Sequence, residues 1–225
     1  MPQAGMHSLA GVAVRKWVPR AEWLMLGIVL GNLFPDTDNL VVAYATLAKL
    51  PTEGIHRTFT HSLFTPVAIA AIFYLVAALT KKPRWLNLGI GLGVGVLMHI
   101  LLDLVLWFNG VEILWPIPSW INLWSGYTPP VWFDKLMLTG EYLFFALYFL
   151  LLISLARRQK TDSGYHKALR LWTISQFVLF AVLTVLVFVM TKGFTTLNGL
   201  FYLLSLGLAI GVTIRMRNTL EFSTT

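Results

Sequence analysis

Apolar residues run along this chain in blocks, not in alternation. The first block, Ala21–Leu50, reads AEWLMLGIVLGNLFPDTDNLVVAYATLAKL and is apolar on both sides of a polar break at GNLFPDTDN. Five uninterrupted blocks follow, at about Ser62–Leu79, Trp85–Phe108, Leu136–Ala156, Leu171–Met190 and Leu197–Ile214. Each is close to the ~20 residues that a helix rising ~1.5 Å per residue needs to cross a ~30 Å hydrocarbon layer. Strand-period alternation is absent, which argues against an outer-membrane barrel. The pattern predicts an all-α, polytopic helical membrane protein of about six spans, the first of them broken or re-entrant. It predicts one integral membrane domain over residues 1–225, without linkers or internal repeats, and a frayed tail at Glu221–Thr225.

Composition agrees and adds a direction. Hydrophobic residues make up 57% of the chain and charged residues only 12%, with mean hydropathy +0.72. Soluble domains carry about 25% charged residues. Seventeen Lys and Arg against ten Asp and Glu leave +7. In so apolar a chain that excess reads as a topology signal, and no nucleic-acid partner is expected. Thirteen of the seventeen fall on one side of the six-span arrangement: Arg15, Lys16, Arg20, Lys81, Lys82, Arg84, Arg157, Arg158, Lys160, Lys167, Arg170, Arg215 and Arg217. Lys49, Arg57, Lys135 and Lys192 fall on the other. The positive-inside rule then places both termini in the cytoplasm of a plasma (inner) membrane protein. A re-entrant first segment would instead give five spans and an outside N-terminus. The stretch Arg15–Leu33 has the charged-then-apolar look of a signal peptide, but no small-residue cleavage site follows, so it is expected to be retained.

Ionisable groups within such segments are costly and usually line an interior site. Counting from Trp85, His99 lies ~21 Å and Asp103 ~27 Å into the third span; Asp36 lies ~22 Å into the first, with Asp38 just beyond. His56, Arg57 and His61 immediately precede the second span, and Glu141 stands five residues into the fourth. All of them converge on the outer half of the membrane. His99 and Asp103 share a helix face, where they either satisfy each other or bind a ligand. PDTD offers either a helix cap or oxygen ligands for a divalent ion. With no cysteine available, Asp36, Asp38, His61, His99 and Asp103 form a nitrogen–oxygen set suited to Zn²⁺ or Mn²⁺, as one ion or two. His56 is a further ligand or an ordinary loop residue, and Arg57 a clamp for an anionic oxygen or a lipid headgroup. Glu112 and Glu141 are ligands or proton carriers, or else a solvated loop acid and an interhelical hydrogen-bonder. Gly91 and Gly95 permit close helix approach below His99.

At these residues the chain resembles the YdjM/DUF457 family, described as membrane-bound metal-dependent hydrolases. The resemblance rests on the early His7, GNLFPDTD at Gly31–Asp38, HRTFTHSLF at His56–Phe64, HILLD at His99–Asp103 and GVEILWP at Gly110–Pro116, and covers roughly residues 1–120. That portion would be the metal-site part, with three further transmembrane helices in 136–214. The resemblance implies His7, Asp36, Asp38, His56, His61, His99 and Asp103 as metal residues. Thr58 stands where the family often has a glycine, which bears on the turn and leaves the ligands intact. A ligand role for His7 conflicts with the charge count, because the N-in arrangement puts it on the far side of the membrane.

The segment between the third and fourth spans carries Trp107, Trp115, Trp120, Trp124 and Trp132, five of nine tryptophans, which suits the headgroup level. A metal there could acidify bound water and polarise a phosphoryl group, with Arg57 stabilising the developing charge and Asp38, Glu112 or Glu141 exchanging the proton. The expectation is hydrolysis of a phosphoester in a membrane lipid or lipid-linked phosphate. HExxH is absent, which argues against a zincin protease. A transporter or metal-ion carrier, or a structural protein with a bound metal, is the alternative.

Overall fold

Pro35 breaks the first apolar segment where its sequence is most polar. Proline has no amide hydrogen to give and its ring obstructs a continuing helix. Helix α2 (Leu24–Leu33) therefore ends, a 3-10 turn follows over Pro35–Asp38, and α3 (Asn39–Leu47) begins beyond it. Asp38 occupies the cap position of α3 but makes no capping bond, so PDTD is not serving as a helix cap. At ten and nine residues, α2 and α3 are ~15 Å and ~13 Å long, and neither crosses a bilayer alone.

The computed structural model describes residues 4–221. They divide into two compact units, one of Ala10–Thr128 and one of Pro129–Thr225 with Met1–Leu9, each as far as it is described. Residues 222–225 of the expected tail lie outside the described residues, while Glu221 closes a short helix.

In the unit Ala10–Thr128, α2 and α3 are followed by a 3-10 turn at Phe59–His61, then α4 (Phe64–Thr80) and α5 (Pro83–Leu106). Helix α5 packs on both α2 and α4, and glycines make this possible. A Cβ added at Gly91 would lie 2.9 Å from the Cα of Gly27, and one at Gly95 would lie 2.7 Å from the Cα of Gly31. On another face of α5, a Cβ at Gly93 would lie 3.3 Å from the carbonyl oxygen of Pro66 on α4. Backbones this close exchange dispersion contacts that larger side chains would prevent. Beyond α5 the chain forms a two-rung antiparallel hairpin, β1 (Val111–Glu112) on β2 (Trp120–Ile121), the one β-sheet among the described residues.

In the other unit, α6 (Val131–Gln159), α7 (His166–Val189) and α8 (Phe194–Arg215) pack around Tyr142, Leu183, Val187 and Phe194, and α9 (Arg217–Glu221) follows. Buried polar side chains pair across these helices. Gln176 and Ser205 exchange bonds of 3.0 and 3.1 Å, and the hydroxyls of Tyr148 and Thr213 meet at 2.6 Å. Helix α1 (Ala4–Ala13) begins in this unit, and its Gly5 presses so closely on α6 that a Cβ there would lie 2.7 Å from the Phe145 nitrogen.

Among the described residues four helices are long and apolar enough to cross a membrane: Pro83–Leu106, Val131–Gln159, Ser163–Val189 and Phe194–Arg215. Leu24–Leu33 and Phe64–Thr80 are apolar but shorter.

Candidate metal centre

Four residues on α5, each one turn beyond the last, build one side of the site. Gly91 and Gly95 bring α2 close, and His99 and Asp103 continue the same stripe (residues i, i+4). Asn32 sits one residue before the end of α2, where helix carbonyls lack intrahelical partners. Its carbonyl accepts from His99 Nδ1 at 2.7 Å. The 3-10 turn after Pro35 delivers Asp36, and the 3-10 turn Phe59–His61 delivers His61. His61, His99, Asp36 and Asp103 are each 2% exposed or less.

Their donor atoms face one another. His61 Nε2 is 3.1 Å from His99 Nε2 and 3.5 Å from Asp103 Oδ2; His99 Nε2 is 3.8 Å from Asp103 Oδ2 and 4.0 Å from Asp36 Oδ1. Metal–ligand bonds of ~2.0–2.2 Å in a tetrahedral shell would separate neighbouring donors by roughly 3.3–3.6 Å. Asp36, His61 and His99 each offer an atom within 4.8 Å of the others'. The donor set fits a divalent ion.

Proton positions favour the same reading. His99 Nδ1 faces a carbonyl, which only accepts, so that nitrogen carries the hydrogen and, in the neutral ring, Nε2 the lone pair. His61 Nδ1 lies 3.0 Å from Thr60 Oγ1, whose hydroxyl hydrogen is given to Asp38 Oδ2 at 2.8 Å. Thr60 is therefore the acceptor for His61 Nδ1–H, and in the neutral ring His61 Nε2 also carries a lone pair. Two lone pairs opposed at 3.1 Å repel unless a cation lies between them. Charge leads to the same place. Asp36, Asp38 and Asp103 are all buried, with the Arg57 guanidinium beside Asp103, and a dication would offset the negative charge gathered there.

Asp38 has a different position from Asp36. Its Oδ1 accepts from His56 Nδ1 at 2.7 Å and Asn39 Nδ2 at 3.2 Å, and its Oδ2 accepts from Thr60 Oγ1 and the Arg57 amide, the latter at 3.3 Å. His56 is half-buried; burial pushes it below its ordinary 6.5, and the bond and charge of Asp38 act against that. With His56 and His61, Asp38 forms a second group of candidate ligand atoms.

Arg57 is buried, and its backbone is held at φ 65°, a left-handed conformation that a non-glycine residue adopts at a cost. The segment after α5 holds it there: its Nη1 donates to the Asn109 carbonyl at 3.0 Å, and its carbonyl accepts from the Glu112 amide at 3.0 Å. Nη2 lies 3.5 Å from Asp103 Oδ2. Thr58, in the position where glycine was the family expectation, bonds the carbonyls of Gly54 and Ile55 and so ties the turn through its side chain.

Glu112 Oε1 accepts from the Ser119 amide at 3.1 Å and braces the hairpin. Glu141 and His7 belong to the other unit. Glu141 is buried on α6 and accepts from the Gly5 amide at 2.8 Å; His7 is buried on α1. Sequence reading missed Asn32 and Thr60. Asn32 acts through a backbone carbonyl, which carries no residue-type signal, and Thr60 is a common residue whose role depends on its neighbours.

The fold and this cluster define a helical membrane protein with buried histidine–aspartate groups that could hold a metal ion. The chain belongs to the YdjM inner membrane protein family, whose model matches residues 3–218. That match extends the resemblance from the first 120 residues to nearly the whole chain. No curated protein and no solved structure matches it.

Proposed function

We propose that this protein is a membrane-embedded, metal-dependent hydrolase that cleaves a phosphoester of a lipid or polyprenyl phosphate at the outer face of the membrane. The observation that carries the reading is the opposed pair of imidazole nitrogens, His61 Nε2 and His99 Nε2, 3.1 Å apart beside two buried carboxylates. His61, His99, Asp36 and Asp103 would hold the ion, with Zn²⁺ or Mn²⁺ matching the donor chemistry. When bound, it supplies Lewis-acid polarisation of a phosphoryl oxygen and lowers the pKa of water.

The chain's own residues do the rest. Arg57 neutralises Asp103 through Nη2, and its Nε–H, which has no hydrogen-bond partner among the described residues, is a donor for a phosphoryl oxygen. His56 gives its Nδ1 hydrogen to Asp38, leaving Nε2 without a partner and able to take the proton of water or return it to the leaving oxygen. Asp38 thus acts through His56, in place of exchanging the proton itself.

An apolar substrate is supported by the loop that buttresses the site. Ile113 accepts from the Leu63 amide at 2.8 Å, and the Trp115 carbonyl accepts from Ser62 Oγ at 3.0 Å. The same loop exposes Trp115, Ile117, Trp120, Leu123 and Trp124. Aromatic rings at that level suit the boundary between headgroups and tails. The basic side chains Lys81, Lys82 and Arg84 at the opposite end of the α4–α5 hairpin support a cytoplasmic position for that end by the positive-inside rule.

The test is a headgroup-release screen over phospholipids and polyprenyl phosphates with purified protein, run with chelator and with His99→Ala. Metal-dependent release that both controls abolish is expected. No release from any class would overturn the hydrolase reading, and metal flux without release would move the protein to transport.

A further inference from the structure

The cluster contains two overlapping sets of candidate ligands, one on Asp36, His61 and His99 and one on Asp38, His56 and His61. His61 belongs to both: its Nε2 lies 3.1 Å from His99 Nε2 and its Nδ1 lies 3.6 Å from Asp38 Oδ2. If Nε2 faces one ion, Nδ1 can face a second only by losing its hydrogen. That hydrogen has a built acceptor. Thr60 Oγ1 lies 3.0 Å from Nδ1, and its own hydroxyl is committed to Asp38 Oδ2 at 2.8 Å. Thr60 is buried at 4% exposed, so water does not compete for the hydroxyl.

Asp38 is closed to a metal for a separate reason. A carboxylate has about four acceptor sites. Here four donors take them: His56 Nδ1 and Asn39 Nδ2 on Oδ1, Thr60 Oγ1 and the Arg57 amide on Oδ2. A second ion would have to displace them and strip the hydrogen from His61 Nδ1.

We propose that the centre holds a single ion, and that Thr60 is a positioning residue which, oriented by Asp38, fixes the tautomer of His61 so that Nε2 is the metal-binding nitrogen. Carboxylate, hydroxyl and imidazole form a three-member relay in which the carboxylate never touches the ion. The proposal rests on the metal-binding part of the function above and is independent of the hydrolytic part.

Metal-free, detergent-solubilised full-length protein is titrated with Zn²⁺ and, as a spectroscopic probe, Co²⁺. Wild type is expected to bind one ion per chain. Thr60→Val keeps the shape and removes the acceptor, and should weaken binding about 10–100-fold, the usual cost of losing an outer-shell partner. It should also shift the visible Co²⁺ absorption. Thr60→Ser restores the hydroxyl and should restore both affinity and spectrum. Should Thr60→Val fail to fold, ¹⁵N-histidine spectra of Zn²⁺-loaded wild type decide: His61 is expected to carry its hydrogen on Nδ1 and the metal on Nε2. Two tightly bound ions, an unchanged Thr60→Val, or a metallated His61 Nδ1 would each overturn the relay. If wild type binds no ion, the metal reading itself fails and the relay with it. If the ion binds as described but no lipid is cleaved, only the hydrolytic reading fails.

Discussion

Asp36 and Asp38 are two residues apart, and the fold gives them opposite surroundings. Asp38 is enclosed by four donors, while Asp36 Oδ1 is directed toward the imidazole pair, 4.0 Å from His99 Nε2. The difference produces a prediction with opposed signs. Asp36→Asn should weaken retention of the ion, because a charged oxygen ligand becomes a neutral one. Its metal-free form should nonetheless unfold at or above the temperature of metal-free wild type, since one buried negative charge beside Asp38 and Asp103 is gone. His99→Ala and Asp103→Ala should each abolish bound metal while leaving membrane insertion intact. Ion content and thermal unfolding, each with and without chelator, check these outcomes. Full metal retention in both alanine variants would sink the site.

Helix α5 joins packing to chemistry. Its stripe Gly91, Gly95, His99 and Asp103 uses two turns to approach α2 and two more to furnish ligand atoms. The acceptor that sets His99, the Asn32 carbonyl, lies on α2, so the spacing of the two helices determines the orientation of that ring. Gly95→Val therefore should do more than overpack. A destabilisation of about 1–3 kcal/mol is expected from the inserted methyls, together with a loss of metal affinity although residue 95 is no ligand. Gly211→Val on α8, where a Cβ meets nothing within 4 Å, should leave affinity unchanged. Unfolding in detergent and Zn²⁺ titration of the two variants separate these outcomes.

At the scale of the whole molecule, the absence of cysteine supplies a way to measure the orientation expected from the basic residues. Lys82, at the turn before α5, and Ser125, in the loop after the hairpin, are both exposed. With no native cysteine, Lys82→Cys and Ser125→Cys each introduce a single thiol. A membrane-impermeant maleimide added to intact cells should label position 125 and spare position 82 until the membrane is opened. The reverse pattern would turn the proposed site toward the cytoplasm. The two compact units carry different chemistry: the candidate centre is held by elements of Ala10–Thr128, and the other unit satisfies its buried polar groups by pairing between helices.

The helical membrane character was legible because length, period and apolarity of a spanning helix are local properties, and Pro35 marked the break in the first segment for an equally local reason. The cluster of Asp36, His61, His99 and Asp103 was legible as a list, because an ionisable residue stands out in a chain that is 57% hydrophobic. Their roles were not. Asp36 and Asp38 are the same residue type in the same turn, and only the positions of His56, Thr60 and Arg57 separate an ion-facing carboxylate from an orienting one. Arg57 read as a clamp for an anionic oxygen, and the structure adds that its guanidinium lies against Asp103 and donates to the Asn109 carbonyl. The sequence by itself determined which groups must leave water and come together, since burial cost follows from residue type. Only the tertiary structure decided which nitrogen and which oxygen face each other, because tautomer and hydrogen-bond saturation depend on partners tens of residues away.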